Sequence, residues 1–413
     1  MNRRVVRIAL LFGLMMMSGC SRTLQVANPI PVPAEAPVHS DTPSSEQKLV
    51  ILAPSDMPPA WQAECRKLES FIPITWINAS KTDSGAYLDA LSKKQPPDLI
   101  LFDASLLGEL RGNDVFEDLA SSAYGAFSYN TVFPGLRLDA YKSLDGHRLV
   151  AFPLSLYAQV TFYRADLISA AGYPADPDEL GKLLEDPKQW LQLGMKLKSE
   201  GLWIQEQITD GIDIAVAGQS YFNEDGSFVR STGELVKKLD AVQRAARASM
   251  AAQINLDSRT GYETLKAGKY AMLYGAEWRL DALREADPEK AEEWRLTRLP
   301  FNAYGPSEEL LFAIPSEGSN PEKAWAFAKA WLEDEKAKGE ATQARKWYSR
   351  FPNSWPTPLD KRADKLWRAT LTEYLFNDSK TPTQAVATAY ARTIPGLGAD
   401  YRILFEEVAR SSR

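Results

Sequence analysis

Between Leu49 and Phe102 short apolar runs alternate with amphipathic stretches, and this alternation restricts the chain, more than any other feature, to an α/β architecture. Leu49 to Ala53 reads as a buried strand that enters a Pro-Ser-Asp-Met-Pro-Pro loop. Trp61 to Phe71 has helical spacing through Trp61, Cys65 and Leu68, and Ile74 to Ile77 reads as a second strand. A helix around Tyr87 to Leu91 follows, and Pro96-Pro97 is a hard stop before a third strand ending at Phe102. Ligands of open α/β sheets sit beyond the carboxyl ends of strands. That rule places Ser55 and Asp56 on one candidate ligand loop, and Asp103 and Ser105 on another.

Further along, Asp145-Gly146 reads as a hairpin turn that leads into the apolar run Leu149 to Tyr163. The run is interrupted by Pro153 and is too long for one ordinary strand, so it is expected to pass between lobes. Stretches around 178 to 200 and 232 to 254 read as helices, and Gly268 fits the position just past a helix over Tyr262 to Ala267. Asn320-Pro321-Glu322 opens another helix, whose apolar face is built from Ala324, Phe327, Ala328 and Trp331. Residues after 357 are mostly helical, and no internal repeat is visible. At 413 residues the chain is long enough for two or three domains.

The first twenty residues have the order of an export signal. Arg3, Arg4 and Arg7 form a positive segment, and Ile8 to Met17 is apolar but too short to span a bilayer. Met17-Ser18-Gly19-Cys20 resembles the lipobox of bacterial lipoproteins, with residues 1–19 as signal peptide and Cys20 as the lipidated residue; a plain secretory leader is the alternative. Residues 20–47, with Pro29, Pro31, Pro33, Pro37 and Pro43, read as a solvated tether. Removing residues 1–19 takes away three arginines and no acid, which moves the net charge from −6 to −9. With no basic cluster in the body, nucleic acid is excluded as a partner.

Cysteine and histidine usage excludes further chemistries. Cys20 and His39 lie in the leader and tether, which leaves only Cys65 and His147 in the body. A structural zinc site, a c-type haem site and a disulfide framework lack their parts, so no metal and no cofactor is expected. His147 follows the Asp145-Gly146 turn and is expected to be exposed, and Cys65 is expected to be a buried helical thiol. GxGxxG after a strand, GxxxxGK[ST], GxSxG and HExxH are absent, and Asn223-Glu224-Asp225-Gly226 lacks the remaining ligands of a calcium loop. No catalytic residue is assigned. A pair of glycosidase carboxylates leaves no spacing signature, so a tethered glycosidase stays open.

Four stretches together resemble the family 1 extracellular solute-binding proteins, the maltose-binding-like receptors of ABC importers, over most of residues 48 to 413. The first is Pro97-Asp98-Leu99-Ile100-Leu101-Phe102-Asp103. The second runs from Asp145-Gly146 through Pro153 to Tyr163-Arg164-Ala165-Asp166-Leu167, with Arg164 where the family usually has Asn. The third and most specific is Tyr262 to Trp278, containing Ala267-Gly268-Lys269-Tyr270-Ala271-Met272 and Gly275-Ala276-Glu277-Trp278. The fourth joins Leu299-Pro300, Phe312-Ala313-Ile314-Pro315 and Asn320-Pro321-Glu322-Lys323-Ala324-Trp325-Ala326-Phe327. Before Pro97 the pattern is shorter than usual, with Glu69 to Thr75 as the nearest equivalent of a family phrase.

The resemblance implies a two-lobed periplasmic-binding-protein fold of type II. Lobe 1 comprises 48–153 and 310–345, and lobe 2 comprises 154–309 and 346–413, with a ligand cleft between them. It implies a lipid-anchored, monomeric receptor in the cell envelope that captures a carbohydrate and hands it to ABC permease subunits, with no chemistry of its own. Trp278 is the expected stacking platform for a sugar ring, with Glu277, Phe102, Asp103, Ser105, Asp56, Tyr157, Tyr304 and Trp355 as further ligand-binding residues. A sensor or protein-binding lipoprotein that has lost transport is a third possibility.

Overall fold

The computed structural model describes residues 48–338, 343–377 and 379–411. The expected signal peptide, the expected tether and Cys20, the expected lipidation site, lie outside the described residues. The described residues form one compact unit.

Seven strands build the sheet: β1 (Leu49–Pro54), β2 (Ile74–Ala79), β3 (Leu99–Asp103), β4 (Phe152–Arg164), β5 (Met272–Ala276), β6 (Trp294–Thr297) and β7 (Pro306–Ala313). Their order is β2-β1-β3-β7-β4-β5, with β6 also paired to β4. The β1 pairings with β2 and β3 are parallel, as their helical crossovers α1 (Pro59–Glu69) and α2 (Ser84–Leu91) require. Strand β7 enters antiparallel between β3 and β4.

Strand β4 is the long apolar run anticipated between lobes. Its first half, Phe152 to Ala158, pairs with β7, and its second half, Gln159 to Arg164, pairs with β5 and β6. β-Branched and aromatic residues favour this extended path, and Pro153, which has no N–H to give, sits at a register shift near the strand's start. Two apolar cores lie along the sheet, and they divide between Phe162 and Tyr163 within β4.

The helices are α3 (Leu107–Leu110), α4 (Ala165–Ala170), α5 (Pro177–Leu183), α6 (Pro187–Ser199), α7 (Asp210–Ala215), α8 (Gly233–Arg247) and α9 (Arg259–Lys266). They continue with α10 (Arg279–Ala286), α11 (Pro321–Ala337), α12 (Asp360–Leu375), α13 (Pro382–Leu397) and α14 (Ala399–Ser411). The single helix expected over 178 to 200 is two, because Asp186 caps a new start at Pro187. Strand β5 begins at Met272, and Gly268 takes positive φ past α9 as expected. Asp98 ties this frame together. Its carboxylate accepts the Val50 N–H of β1 at 2.8 Å, and also the Asn320 backbone N–H at 2.8 Å, at the start of α11. His147 is exposed and Cys65 is buried in α1, with its thiol pushed up to about 12 by burial and the adjacent Glu64.

Candidate functional site

The loop after β3, the strand β7, the segment 351–357 and the loop after α7 converge on a cavity of about 480 Å3. It lies beyond the carboxyl end of β3, where an open α/β sheet is expected to hold a ligand. Asp103 shapes the first wall, because its Oδ1 accepts the Ser105 N–H at 2.9 Å and so turns Ser105 toward the cavity. Gly108 in α3 lets the segment 351–357 approach closely, since a Cβ there would stand 2.3 Å from the Thr357 carbonyl oxygen. Arg111, almost fully buried, pins the same segment by donating to the Pro356 carbonyl at 3.3 Å.

The facing wall depends on Gly218, whose φ of +69° and contact with the Tyr304 carbonyl exclude a side chain. The turn it makes delivers Gln219, Ser220 and Tyr221. Arg230 donates to the Gln219 and Ser220 carbonyls and lies 3.7 Å over the Tyr221 ring. The Tyr221 hydroxyl donates to Asp364 Oδ1 at 2.5 Å, and Arg368 donates to the same carboxylate. Burial works against ionisation of Asp364, yet the bonds from Arg368 and Tyr221 hold its carboxyl below the usual range. Lys361 Nζ of α12 reaches back to pair with Glu109 at 3.0 Å and to donate to the Thr82 carbonyl at 3.1 Å.

The floor is β7. Successive side chains of a strand face opposite ways, so Glu309 faces this cavity while Glu308 faces the other side of the β4–β7 ribbon. The Tyr141 hydroxyl donates to the Glu309 carboxylate. Burial, with a lesser contribution from the nearby Asp103, pushes the Glu309 carboxyl up to about 7. Asp360 is likewise pushed up to about 6 by burial, against the hydrogen bond from Thr357 Oγ1 at 2.6 Å. The cavity therefore offers carboxylates, hydroxyls and the carboxamides of Gln219 and Asn353 beside the rings of Tyr141, Tyr221 and Phe351, a lining suited to a polar small molecule.

Three of the anticipated ligand residues gather instead on the opposite face of the ribbon. Tyr157, Glu277 and Trp278 line a second cavity of about 680 Å3, to which α1 contributes Ala60. Trp61 stacks on Tyr157 with ring centroids 5.5 Å apart, and Trp278 Nε1 donates to Glu308 Oε2 at 2.9 Å. Glu277 is buried there. Its Oε1 accepts the Ala158 N–H at 3.3 Å and the Tyr348 hydroxyl at 3.4 Å, and burial pushes its carboxyl up to about 7.

The other anticipated residues are dispersed. Phe102 belongs to β3 rather than to the loop after it, and its ring is buried edge-on to Tyr87 because even positions of that strand face α2. Asp103 acts through its cap on the turn. Asp56 is exposed and pairs with Lys81 at 3.7 Å. Tyr304 is buried beneath the Arg350 guanidinium, and Trp355 beneath that of Arg111. Sequence reasoning did not single out Tyr141, Tyr221, Arg230, Glu309, Asp360 or Asp364. Two adjacent acids opening an otherwise apolar strand, at Glu308-Glu309, were the available signal for the floor. Asp360 and Asp364 resemble the solvated face of a basic helix and carry no signal of their own. Among the described residues, no group of three His, Cys, Asp or Glu side chains is placed to hold a metal ion.

Comparison with known proteins places this geometry in a family. The model of the bacterial extracellular solute-binding proteins matches residues 63–354. The chain belongs to the bacterial extracellular solute-binding proteins. The sugar-binding protein MalE of Xanthomonas citri is similar in structure, with a TM-score of 0.67 at 16% identity, covering 87% of this chain and 99% of MalE. The galacto-N-biose/lacto-N-biose I-binding protein of a Bifidobacterium longum ABC transporter, solved with lacto-N-biose, gives a TM-score of 0.64 at 12% identity over 87% and 98% of the two chains. The GacH receptor of Streptomyces glaucescens, also solved with acarbose, gives 0.62 at 13% identity over 87% and 99%. At these identities the likeness is one of fold, and the fold is the two-lobed one of solute-binding proteins. No curated protein matches the chain by sequence.

Proposed function

We propose that this protein is the receptor of an ABC importer, that it captures a carbohydrate in the cavity between Ser105, Tyr221 and Glu309, and that it delivers the solute to membrane permease subunits without chemical change. The observation that carries this reading is the convergence on one cavity of the β3 loop, the crossover strand β7, the segment 351–357 and the α7 loop. A cavity walled by segments from both sides of a crossover can hold a ligand that joins them. Lobe 1 comprises 48–153 and 310–345, lobe 2 comprises 154–309 and 346–413, and the protein acts as a monomer. A lipid on Cys20 and the tether over 20–47 keep it at the envelope surface. Three sugar receptors of this fold support the solute class.

A second reading puts the solute on the opposite face, against Trp278, because Tyr157, Glu277 and Trp278 share one cavity there. Isothermal titration with mono- and oligosaccharides separates the two. Loss of binding in Ser105→Trp with retention in Trp278→Ala supports the first reading, and the reverse supports the second. Turnover of a bound glycan by the purified protein would replace the receptor with a glycosidase. Metabolic labelling with a palmitate analogue, compared with Cys20→Ala, tests the anchor.

A further inference from the structure

Among the acidic groups that line the central cavity, Glu309 alone has no cation bonded to it or among the charges that shift its carboxyl. It is 5% exposed, sits on β7, and still borders the cavity. From β3 it is faced by Asp103, a like charge, and from the turn Asp139–Tyr141 by the Tyr141 hydroxyl, its hydrogen-bond donor. Its cross-strand partner on β4 is the apolar Leu156. Two of the three cations that line the cavity are committed elsewhere, and the third, Arg137, is exposed to solvent. Arg230 is bound to the Gln219 and Ser220 carbonyls, and Lys361 to Glu109 and the Thr82 carbonyl. Asp364, by contrast, is matched by Arg368, and Asp360 lies within the field of Arg230 and Arg111.

A buried carboxylate can accept about four hydrogen bonds and is costly to leave ionised without a counter-charge. One phenolic donor leaves most of that capacity open on the cavity side. A neutral hydroxyl would meet the carboxyl either protonated, with less acceptor capacity to fill, or ionised, with a net negative charge enclosed. A protonated amine would fill the open acceptor sites and neutralise the charge as well.

We propose that the solute is a sugar bearing a protonated amine, and that this amine docks on Glu309 beside the Tyr141 hydroxyl. The inference rests on the receptor reading above and names the solute class within it. Because burial holds the free carboxyl protonated into the neutral range, binding of the amine draws off a proton. Affinity therefore rises with pH between about 5.5 and 6.5, below the range in which the amine of an amino sugar, less basic than a lysine because of its neighbouring oxygens, loses its charge.

The test is titration calorimetry of the full exported protein with glucosamine and its β-1,4 oligomers, beside the N-acetylated oligomers and the corresponding glucose oligomers. The expected result is at least tenfold tighter binding of one amine-bearing saccharide than of its N-acetylated and hydroxyl counterparts. In Glu309→Gln that tenfold preference is lost while the ligand-free melting curve stays cooperative. If the variant fails to fold, the wild-type pH series decides, with affinity for the amine rising about fivefold from pH 5.5 to 6.5. Equal or tighter binding of the neutral sugars, or a flat pH series, overturns the inference and leaves the receptor reading standing. Binding of none of these saccharides, nor of any other sugar in a wider panel, overturns both.

Discussion

Asp98 and Glu277 show how much single buried carboxyls contribute to this fold. Asp98 takes hydrogen bonds from the backbones of β1 and of the α11 start, so its removal leaves donors without partners inside the protein. Asp98→Ala is expected to lower unfolding free energy by about 2 to 4 kcal/mol, measured by urea denaturation. Glu277 acts in the opposite sense. Burial raises its carboxyl from 4.5 to about 7, so the folded state binds a proton that the unfolded state releases between those values. The stabilisation is present in full below pH 4.5 and is lost as pH rises through 7. Glu309 has the same sign and window. Melting temperature is therefore expected to fall between pH 5 and pH 8, and Glu277→Gln to flatten that slope by up to about 3 kcal/mol in stability. An unchanged slope in the variant would remove Glu277 as its source. The Pro97-Asp98 motif was legible in the sequence as the start of a strand. Its role as a clamp was not, because the partner at Asn320 lies more than two hundred residues away.

At the scale of elements, the first β-α-β-α-β stretch could be read directly, since apolar runs and helical spacing change there with each element. Strand β4 was legible as a lobe-crossing run by its length alone. The cavity walls were harder to foresee, because they are turns whose geometry depends on contact with distant chain. Gly108 is the clearest case. Its missing side chain matters only because Thr357 passes over it. Gly108→Ala is expected to push the segment 351–357 off α3, costing about 1 to 3 kcal/mol and weakening solute binding as well. Calorimetric melting and solute titration of the same variant check both parts. A variant that loses stability but binds normally would separate this segment from the site. The face to which a residue points was the other gap. Glu308 and Glu309 differ by one position and face opposite cavities, and the register that decides between them is set by pairing with β4.

At the scale of the molecule, the family motifs located a two-lobed fold correctly, from residues that hold strands and helices in place. Of the residues they implied, Tyr157, Glu277 and Trp278 share one cavity and Ser105 lines the other, whose remaining walls carry no family motif. The central cavity draws on loops from four parts of the chain, so a ligand there joins segments that are otherwise linked through the crossovers. A ligand that binds only the folded state stabilises it by about 2.7 kcal/mol at a hundred times its dissociation constant. In a protein of this size that corresponds to several degrees of melting temperature. The most direct measurement is the melting curve of the exported protein titrated with saccharides, for the wild type, Ser105→Trp and Trp278→Ala in parallel. A saturable rise that disappears in Ser105→Trp and persists in Trp278→Ala is the predicted result. A rise that survives Ser105→Trp and disappears in Trp278→Ala would contradict the central cavity as the solute site.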